Sequence, residues 1–186
     1  KLKSYPGNLT PGSDNVTLDK INLEWFEKTN KELGSGAFKF KPARRVEIPK
    51  PNGGKRPLGV ASPRDKIVQE SIRLVWEAVF EPEFKDTSHG FRPKKSCHTA
   101  HNDVKMKFAA VNWFIEGDIS KCFDTFDHGR LITAVSKRIT DPQFIQILHK
   151  ALKAGYLFQG DLFHAPTGTP QGSVISPILC NIYLHA

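Results

Sequence analysis

Apolar residues recur every three or four positions along much of the chain, a spacing that predicts amphipathic helices. The clearest example follows Ser62 and Pro63, since serine caps helices well and proline suits the first helical turn. The apolar residues on one face of this helix are predicted to lie in the core, and they are Ile67, Val68, Ile72, Val75, Trp76 and Val79. The same reasoning predicts helices over residues 18–33, 96–108, 127–139, 141–154 and 176–184.

Two pairs of segments have the pattern of β-hairpins. Residues 44–48 alternate charged and apolar side chains, and a turn rich in proline and glycine leads from them to residues 57–60. Two shorter strands are predicted at 156–158 and 162–164, around a turn that contains Gly160. Helices and strands in this order indicate an α+β fold, built as one domain or as two small lobes.

A further candidate strand precedes a residue that could bind a metal. Residues 111–115 are apolar apart from Asn112, and their aromatic and β-branched side chains predict a buried strand. Asp118 would lie at the carboxyl end of this strand, where catalytic groups are common. A carboxylate in that position is a candidate ligand for a hard cation such as Mg²⁺. The alternative is a surface acid that caps the next turn, and this segment alone leaves both interpretations open.

The net charge of the chain indicates the kind of partner it binds. Lys and Arg number 27 against 19 acidic residues, which gives a net charge of +8 at pH 7. This excess predicts a polyanion, most commonly nucleic acid, with a merely basic protein as the alternative. Many cations flank the glycine-rich tip of the first hairpin, which favours phosphate contacts over a solvated hairpin without a ligand. They are Lys39, Lys41, Arg44, Arg45, Lys50, Lys55 and Arg56.

The cysteines and the hydropathy argue against several other classes of protein. Cys97, Cys122 and Cys180 lie far apart, which disfavours a zinc knuckle and a disulfide framework and fits a reducing compartment. Cys97 and His101 are spaced to share a metal on a helix, but without an evident fourth ligand an ordinary helix surface is the simpler interpretation. No apolar run approaches the roughly 20 residues of a membrane-spanning helix, and no signal peptide opens the chain.

Five separated segments carry a resemblance to a known family. They are, in order, residues 44–59, 65–69, 80–93, 116–124 and 168–177. They resemble the fingers hairpin, the helix after it, the second block, the first palm motif and the fourth block of the group II intron reverse transcriptases, which are also maturases. Residues 9–14 are similar to the segment that these maturases carry before the fingers. The sequences around Cys122 and Tyr183 look most like those of organellar, especially mitochondrial, members.

The resemblance implies the fold of a right-hand polymerase and a metal site. The chain would comprise an N-terminal extension with a helix at 1–36, fingers at 37–110 and part of the palm at 111–186. Asp118 would be the first metal-binding aspartate, with the backbone carbonyl of Ile119 beside it, and both would hold Mg²⁺.

The resemblance also implies nucleotide and RNA contacts. Phe123 would lie under the sugar of the incoming nucleotide, where its ring rejects a 2′-hydroxyl, and an ordinary core ring is the alternative. The nucleotide site would further contain Lys50 and Arg56, which grip the triphosphate, and Gln171 and Gly172, which line the pocket. The expected RNA contacts are Arg44, Arg45, Lys55 and Arg92, with Arg92 near the template strand.

The sequence departs from the family pattern in one major respect. The family's Tyr-Ala-Asp-Asp hairpin follows the fourth block, and it does not occur within these 186 residues. One aspartate cannot hold the two metal ions that such polymerases use, so residues 1–186 alone are expected to lack polymerase activity. The thumb and the maturase-specific domain are also absent, which suggests a fragment, a second chain carrying the rest of the palm, or a protein that no longer polymerises. Smaller departures are Ser173, where glycine is usual, and Ala61-Ser62, where Pro-Thr is common.

These features support two functions. The first is an RNA-binding reverse transcriptase-like domain of a group II intron maturase, with RNA or an RNA–DNA hybrid as partner and no membrane. The alternative is a non-catalytic RNA-binding maturase or a subunit of a larger ribonucleoprotein. We expect a mitochondrial location, with the chloroplast or the bacterial cytoplasm as alternatives.

Overall fold

The structure is a computed structural model that describes residues 10–51, 53–169 and 172–186, apart from the side chain of Lys20. Its α-helices are α1 (Leu23–Gly34), α2 (Pro63–Phe80), α3 (Cys97–Lys107), α4 (Cys122–Thr125), α5 (His128–Ser136), α6 (Pro142–Lys153) and α7 (Ser176–His185). Short 3-10 turns occur at Leu18–Lys20 and Glu81–Glu83, and the strands are β1 (Ala43–Pro49), β2 (Lys55–Val60), β3 (Tyr156–Phe158) and β4 (Asp161–Phe163). None of the helices in the described part of the chain has the length and apolar character needed to cross a membrane.

The four strands form one mixed sheet in the order β2-β1-β3-β4. β1 and β2 are the first predicted hairpin, with Arg44 opposite Val60. β3 and β4 are the second, with Tyr156 opposite Phe163. A parallel pairing of β1 with β3, in which Ala43 lies opposite Tyr156, joins the two hairpins. This pairing brings distant parts of the chain together, and no local sequence pattern predicted it.

The hydrophobic core lies where α2, α5, α6 and α7 meet. α2 contributes Trp76, which is fully buried, and its ring meets that of Phe144 edge-on at a centroid distance of 6.0 Å. The helical spacing of apolar residues on each element buries one face and leaves the other in solvent, as amphipathic patterning requires. Other buried members include Phe38, Phe40, Val68, Ile72, Phe80, Leu131, Val135, Leu148, Leu152, Leu179 and Ile182.

The start of α2 is held by a buried polar cluster. The Ser62 side chain accepts a hydrogen bond from the Asp65 backbone N–H at 3.2 Å, as expected of the predicted cap. Asp65 is almost fully buried and accepts the Lys41 backbone N–H at 2.8 Å through Oδ2, whereas its Oδ1 has no partner among the described residues. Burial raises the pKa of the Asp65 carboxyl from 3.8 to about 6.

Replacing Asp65 with asparagine is expected to remove one pH-dependent part of the stability. Between about pH 4 and pH 6 the folded protein keeps a proton on Asp65 that the unfolded chain has released, so this group's contribution falls as the pH rises through that window. The difference in free energy of unfolding between Asp65→Asn and the wild type should therefore shift in favour of the variant as the pH rises. The shift should reach up to about 3 kcal/mol between pH 4 and pH 7. Urea unfolding at several pH values measures this difference. Asp161→Asn, at an exposed carboxyl, is the control. A stability difference between Asp65→Asn and the wild type that stays constant across the pH range would contradict the expectation.

Two elements and one core residue differ from the sequence-based predictions. Residues 111–115 form no strand and are exposed, with Trp113 91% and Ile115 100% accessible. A strand needs a neighbour for its backbone hydrogen bonds, and no strand among the described residues lies beside this segment. The predicted helix 18–33 is interrupted after Lys20, because Asn22 caps a new helix by accepting the Trp25 N–H at 2.9 Å. Val75, predicted to be a core residue, is exposed because it lies on the solvent side of α2.

Candidate nucleotide and nucleic-acid site

The loop at residues 167–169 docks against the turn that follows Asp118. The Thr169 backbone N–H donates to the Phe123 carbonyl at 2.7 Å, and the Gly168 N–H donates to the Phe126 carbonyl at 2.8 Å. An isolated antiparallel bridge joins Asp127 to Thr167. The fourth block and the first palm motif, predicted separately from the sequence, are therefore adjacent in space.

Two glycines allow this loop to lie close to its neighbours. Gly168 has a φ of 69°, and a Cβ added to it would lie 2.5 Å from the backbone of Asp124. Gly172 has a φ of 101°, and a Cβ there would lie 2.6 Å from the Gly59 carbonyl oxygen on β2. Both residues combine a left-handed backbone with a contact that any side chain would block. The fourth block thus contacts the turn after Asp118 on one side. On the other side it contacts the cation-rich hairpin of β1 and β2, which we call the basic hairpin.

α2 anchors the fourth block through a side chain that the sequence patterns did not single out. Gln69 is buried, and its Oε1 accepts the Val174 backbone N–H at 3.0 Å and the Ser173 hydroxyl at 3.2 Å. The only signal in the sequence was its place in the segment 65–69 that resembles the family. The predicted nucleotide contact Gln171 lies outside the described residues.

Phe123 has a partner ring that the sequence analysis also missed. It is half-buried, packs against the hydrophobic core, and its ring meets that of Phe91 edge-on at a centroid distance of 6.2 Å. Phe91 has a φ of 56° and is 71% exposed, an uncommon backbone conformation for a bulky residue. The preceding carbonyl, that of Gly90, accepts a hydrogen bond from the Asn181 side chain on α7 at 2.9 Å. This geometry holds an exposed aromatic ring against the predicted sugar-contacting residue.

The basic hairpin presents exposed cations at its tip. Lys50, Lys55 and Arg56 are all exposed, and the Lys50 N–H donates to the Gly54 carbonyl at 2.7 Å to close the turn. Lys55 pairs with Glu47 at 2.8 Å, and the hydrogen bond with this carboxylate raises the pKa of the lysine. An exposed pair of this kind is weak and can exchange its partner for a phosphate.

Two other predicted RNA contacts on β1 have partners within the protein. The Arg44 guanidinium donates to the Pro11 carbonyl at 3.2 and 3.3 Å, which ties the segment before α1 to the sheet. The Arg45 guanidinium lies 4.4 Å from the centre of the Tyr156 ring, a cation–π contact between β1 and β3. Both side chains support the fold in this structure, and their RNA contacts remain predictions.

Arg92, the remaining predicted RNA contact, is enclosed by groups of the protein itself. Its side chain is 6% exposed and pairs with Glu81 at 2.8 Å. The guanidinium also donates to the carbonyls of Lys85 and Ser88, at 2.7 and 3.0 Å. These bonds close the loop after α2, so the geometry indicates a structural role and lends no support to the predicted template contact.

The structure assembles no metal site from the residues that it describes. Asp118 is exposed in a segment without regular structure, and no group of three His, Cys, Asp or Glu side chains in the described part of the chain could hold a metal ion. The nearby Asp127 instead caps α5 by accepting the Arg130 N–H at 2.8 Å. Asp118 and the Ile119 carbonyl are oxygen donors of the type that Mg²⁺ prefers, but two donors leave most of its octahedral shell to other ligands.

Comparison with known proteins identifies the family. Residues 48–186 match the reverse transcriptase (RNA-dependent DNA polymerase) family. The chain belongs to this family. The match begins in β1 and includes the basic hairpin, the turn after Asp118 and the loop that docks on it. The reverse transcriptase assignment made from the sequence is therefore confirmed.

The similar proteins place this reverse transcriptase domain among the group II intron maturases. It is 50% identical over 185 residues to a putative COX1/OXI3 intron 1 protein of Saccharomyces cerevisiae, covering 99% of the chain and 22% of that protein. It is 44% identical over 185 residues to the group II intron-encoded protein LtrA of Lactococcus lactis subsp. cremoris, covering 99% of the chain and 31% of LtrA. Nuclear intron maturase 1, mitochondrial, of Arabidopsis thaliana is 28% identical over 149 residues, covering 74% of the chain and 20% of that protein. The chain spans less than a third of the length of these relatives.

Proposed function

We propose that the chain forms the fingers and part of the palm of an RNA-directed DNA polymerase that acts on group II intron RNA. The observation that carries this proposal is the position of the fourth block. It contacts Phe123 and Asp124 after the candidate metal-binding aspartate, and it contacts β2 of the basic hairpin through Gly172. A nucleotide between these two walls would meet cations at one end and an aromatic ring at the other. In this division, residues 37–110 are fingers and residues 111–186 are palm.

The roles proposed for individual residues are those that the family resemblance implies. Lys50 and Arg56 bind the triphosphate from the hairpin tip, and Phe123 contacts the sugar. Asp118 and the carbonyl of Ile119 would hold Mg²⁺ together with oxygen donors from the substrate and from other parts of the polymerase site. A bound Mg²⁺ would supply positive charge against the phosphates and lower the pKa of the attacking hydroxyl. Gln69 keeps the fourth block in register with both walls through its hydrogen bonds to residues 173 and 174.

The partner that this function requires is RNA, or an RNA–DNA hybrid once synthesis has begun. The charge of +8 supplies the general attraction, and the exposed cations of the hairpin supply local phosphate contacts. Relatives whose names include a mitochondrial location support a mitochondrial origin for this protein. The competing function, RNA binding by a non-catalytic maturase, requires the same basic surface but gives Phe123 no role in nucleotide selection.

Replacing Phe123 with alanine in a polymerase that carries the complete site is expected to relax the rejection of ribonucleotides. Loss of the ring opens space for a 2′-hydroxyl, and the ratio of ribonucleotide to deoxyribonucleotide kcat/KM should rise by about 10- to 200-fold. Phe91→Ala should raise the ratio in the same direction but less, because it removes only the edge contact that orients Phe123. Primer extension on an RNA template with each nucleotide type measures both effects.

Phe108→Ala is the matched control, because this exposed ring lies at the end of α3. An unchanged ratio in Phe123→Ala, accompanied by a lower melting temperature, would return this residue to the role of a core ring. No extension by the wild-type polymerase, together with salt-dependent RNA binding, would favour the non-catalytic maturase.

A further inference from the structure

Two cysteines far apart in the sequence lie next to each other in the structure. The sulfur atoms of Cys122 and Cys180 are 3.4 Å apart, although 58 positions separate the two residues. Cys122 opens α4 and is half-buried, whereas Cys180 lies on α7 and is buried. The third cysteine, Cys97, is exposed on α3. We call Cys122 and Cys180 the thiol pair.

The thiol pair lies between two parts of the candidate nucleotide site. Cys122 directly precedes Phe123, which the proposed function places under the nucleotide sugar. Cys180 directly precedes Asn181, whose side chain holds the Gly90 carbonyl next to Phe91. A covalent bond between the two sulfur atoms would therefore join the segment that carries Phe123 to the helix that positions Phe91.

We infer that the thiol pair is a redox-sensitive site that closes to a disulfide when the protein meets a hydroperoxide. The sulfur atoms need to approach from 3.4 Å to about 2.05 Å, a shift that side-chain rotation can largely supply. Both cysteines lie on helices that meet here, so the loop between them is already closed in the fold.

The reaction is balanced in two steps. Cys122 gives up its thiol proton and attacks hydrogen peroxide, so an S–O bond forms and the O–O bond breaks, and the released hydroxide takes up that proton and leaves as water. The Cys180 sulfur then gives up its proton and attacks the sulfenic sulfur of Cys122, so an S–S bond forms and the sulfenic oxygen leaves as a second water. Together the two thiols lose two electrons and two protons, and the peroxide is reduced.

The surroundings of the two sulfur atoms determine which of them reacts first. Burial, together with the contact to Cys122, raises the pKa of the Cys180 thiol to about 12. A buried thiol that keeps its proton is a poor nucleophile towards a peroxide in solution. Cys122 is more accessible, so it is oxidised first and Cys180 resolves the intermediate.

The disulfide has two consequences. It cross-links a long loop, which removes conformational freedom from the unfolded chain and should raise the melting temperature by about 5 °C or more. It also fixes Phe123 relative to α7, so oxidation would alter nucleotide selection. This second consequence rests on the proposed function, whereas formation of the disulfide does not.

The test maps the thiols after treatment with hydrogen peroxide. The full chain, purified without reductant, is oxidised, its remaining thiols are alkylated, and it is digested with trypsin without reduction. Cleavage at Arg130 and Lys137 separates the two cysteines, so a disulfide appears in mass spectrometry as a cross-linked pair of peptides. We expect this cross-link within single chains, with Cys97 still alkylated, and we expect dithiothreitol to reverse both the cross-link and the rise in melting temperature.

Two variants make the outcome decisive. Cys97→Ser should leave the cross-link intact. Cys180→Ser should abolish it and leave a sulfenic acid on Cys122 that a cyclic 1,3-diketone traps, whereas the wild type should give little of that adduct. Oxidation of Cys97 in preference to Cys122, cross-links only between chains, or a Cys122 adduct of equal yield in wild type and Cys180→Ser would each overturn the inference. None of these readouts depends on polymerase activity.

Discussion

Replacing Trp76 with alanine is expected to lower the free energy of unfolding by about 3–5 kcal/mol. The indole is fully buried at the junction of four helices, and its removal would leave a cavity that the surrounding rings cannot fill. Guanidinium chloride unfolding followed by far-ultraviolet circular dichroism measures the change without relying on tryptophan fluorescence.

Two further variants separate the cavity from other effects at this position. The Trp76 Nε1–H is buried without a hydrogen-bond partner among the described residues, so Trp76→Phe removes an unsatisfied donor while it keeps most of the apolar volume. We expect it to cost less than half as much as the alanine substitution. Trp113→Ala, at a side chain that is almost fully exposed, should change stability by no more than about 0.5 kcal/mol. A loss for Trp113→Ala as large as that for Trp76→Ala would show that residues 111–115 are buried in solution.

Reversing the charges at the tip of the basic hairpin is expected to weaken RNA binding by about 100-fold at low salt. Lys50→Glu, Lys55→Glu and Arg56→Glu together replace three exposed cations with anions. Each lost phosphate contact also reduces counterion release, so the slope of log affinity against log salt should become smaller by about 2. Fluorescence anisotropy with a structured RNA across a range of salt concentrations measures both quantities.

A matched variant distinguishes local contacts from the effect of net charge. Lys105→Glu, Lys137→Glu and Lys153→Glu change the net charge equally, at exposed positions on α3 and at the ends of α5 and α6. This control should lower affinity much less and leave the salt slope nearly unchanged. Equal losses for both triple variants would show that only the overall charge attracts RNA, and affinity without salt dependence would contradict the electrostatic basis of the proposal.

Local chemistry made several elements predictable from the sequence. Serine and proline at residues 62 and 63 predicted the start of α2, and the structure confirms the cap and the first turn of that helix. Alternating side chains around a glycine-rich turn predicted the first hairpin, which forms with the expected strands. The ordered motifs also predicted the reverse transcriptase family, which the family match confirms. Each of these features depends on residues that are close together in the chain, or on motifs that can be recognised by their order along the sequence.

The predictions that failed depend on neighbours that the sequence does not reveal. Residues 111–115 have the composition of a buried strand, but no strand among the described residues pairs with them, so they lie exposed. Nor does the sequence show that Arg44 binds the Pro11 carbonyl or that Arg92 pairs with Glu81, although the RNA contacts of both residues stay predictions. A guanidinium has the same sequence signature whether it faces solvent or a buried carbonyl, so only the fold distinguishes the two.

The sequence by itself therefore determined the family, the two hairpins, most of the helices and the net positive charge. Only the tertiary structure decided that the two hairpins share one sheet, that Phe91 contacts Phe123, and that Cys122 lies beside Cys180. The physical reason is the range of the interactions involved. Helix caps, turns and amphipathic spacing act over a few residues, whereas parallel strand pairing, ring contacts and thiol contacts form between side chains that only the packed core brings together.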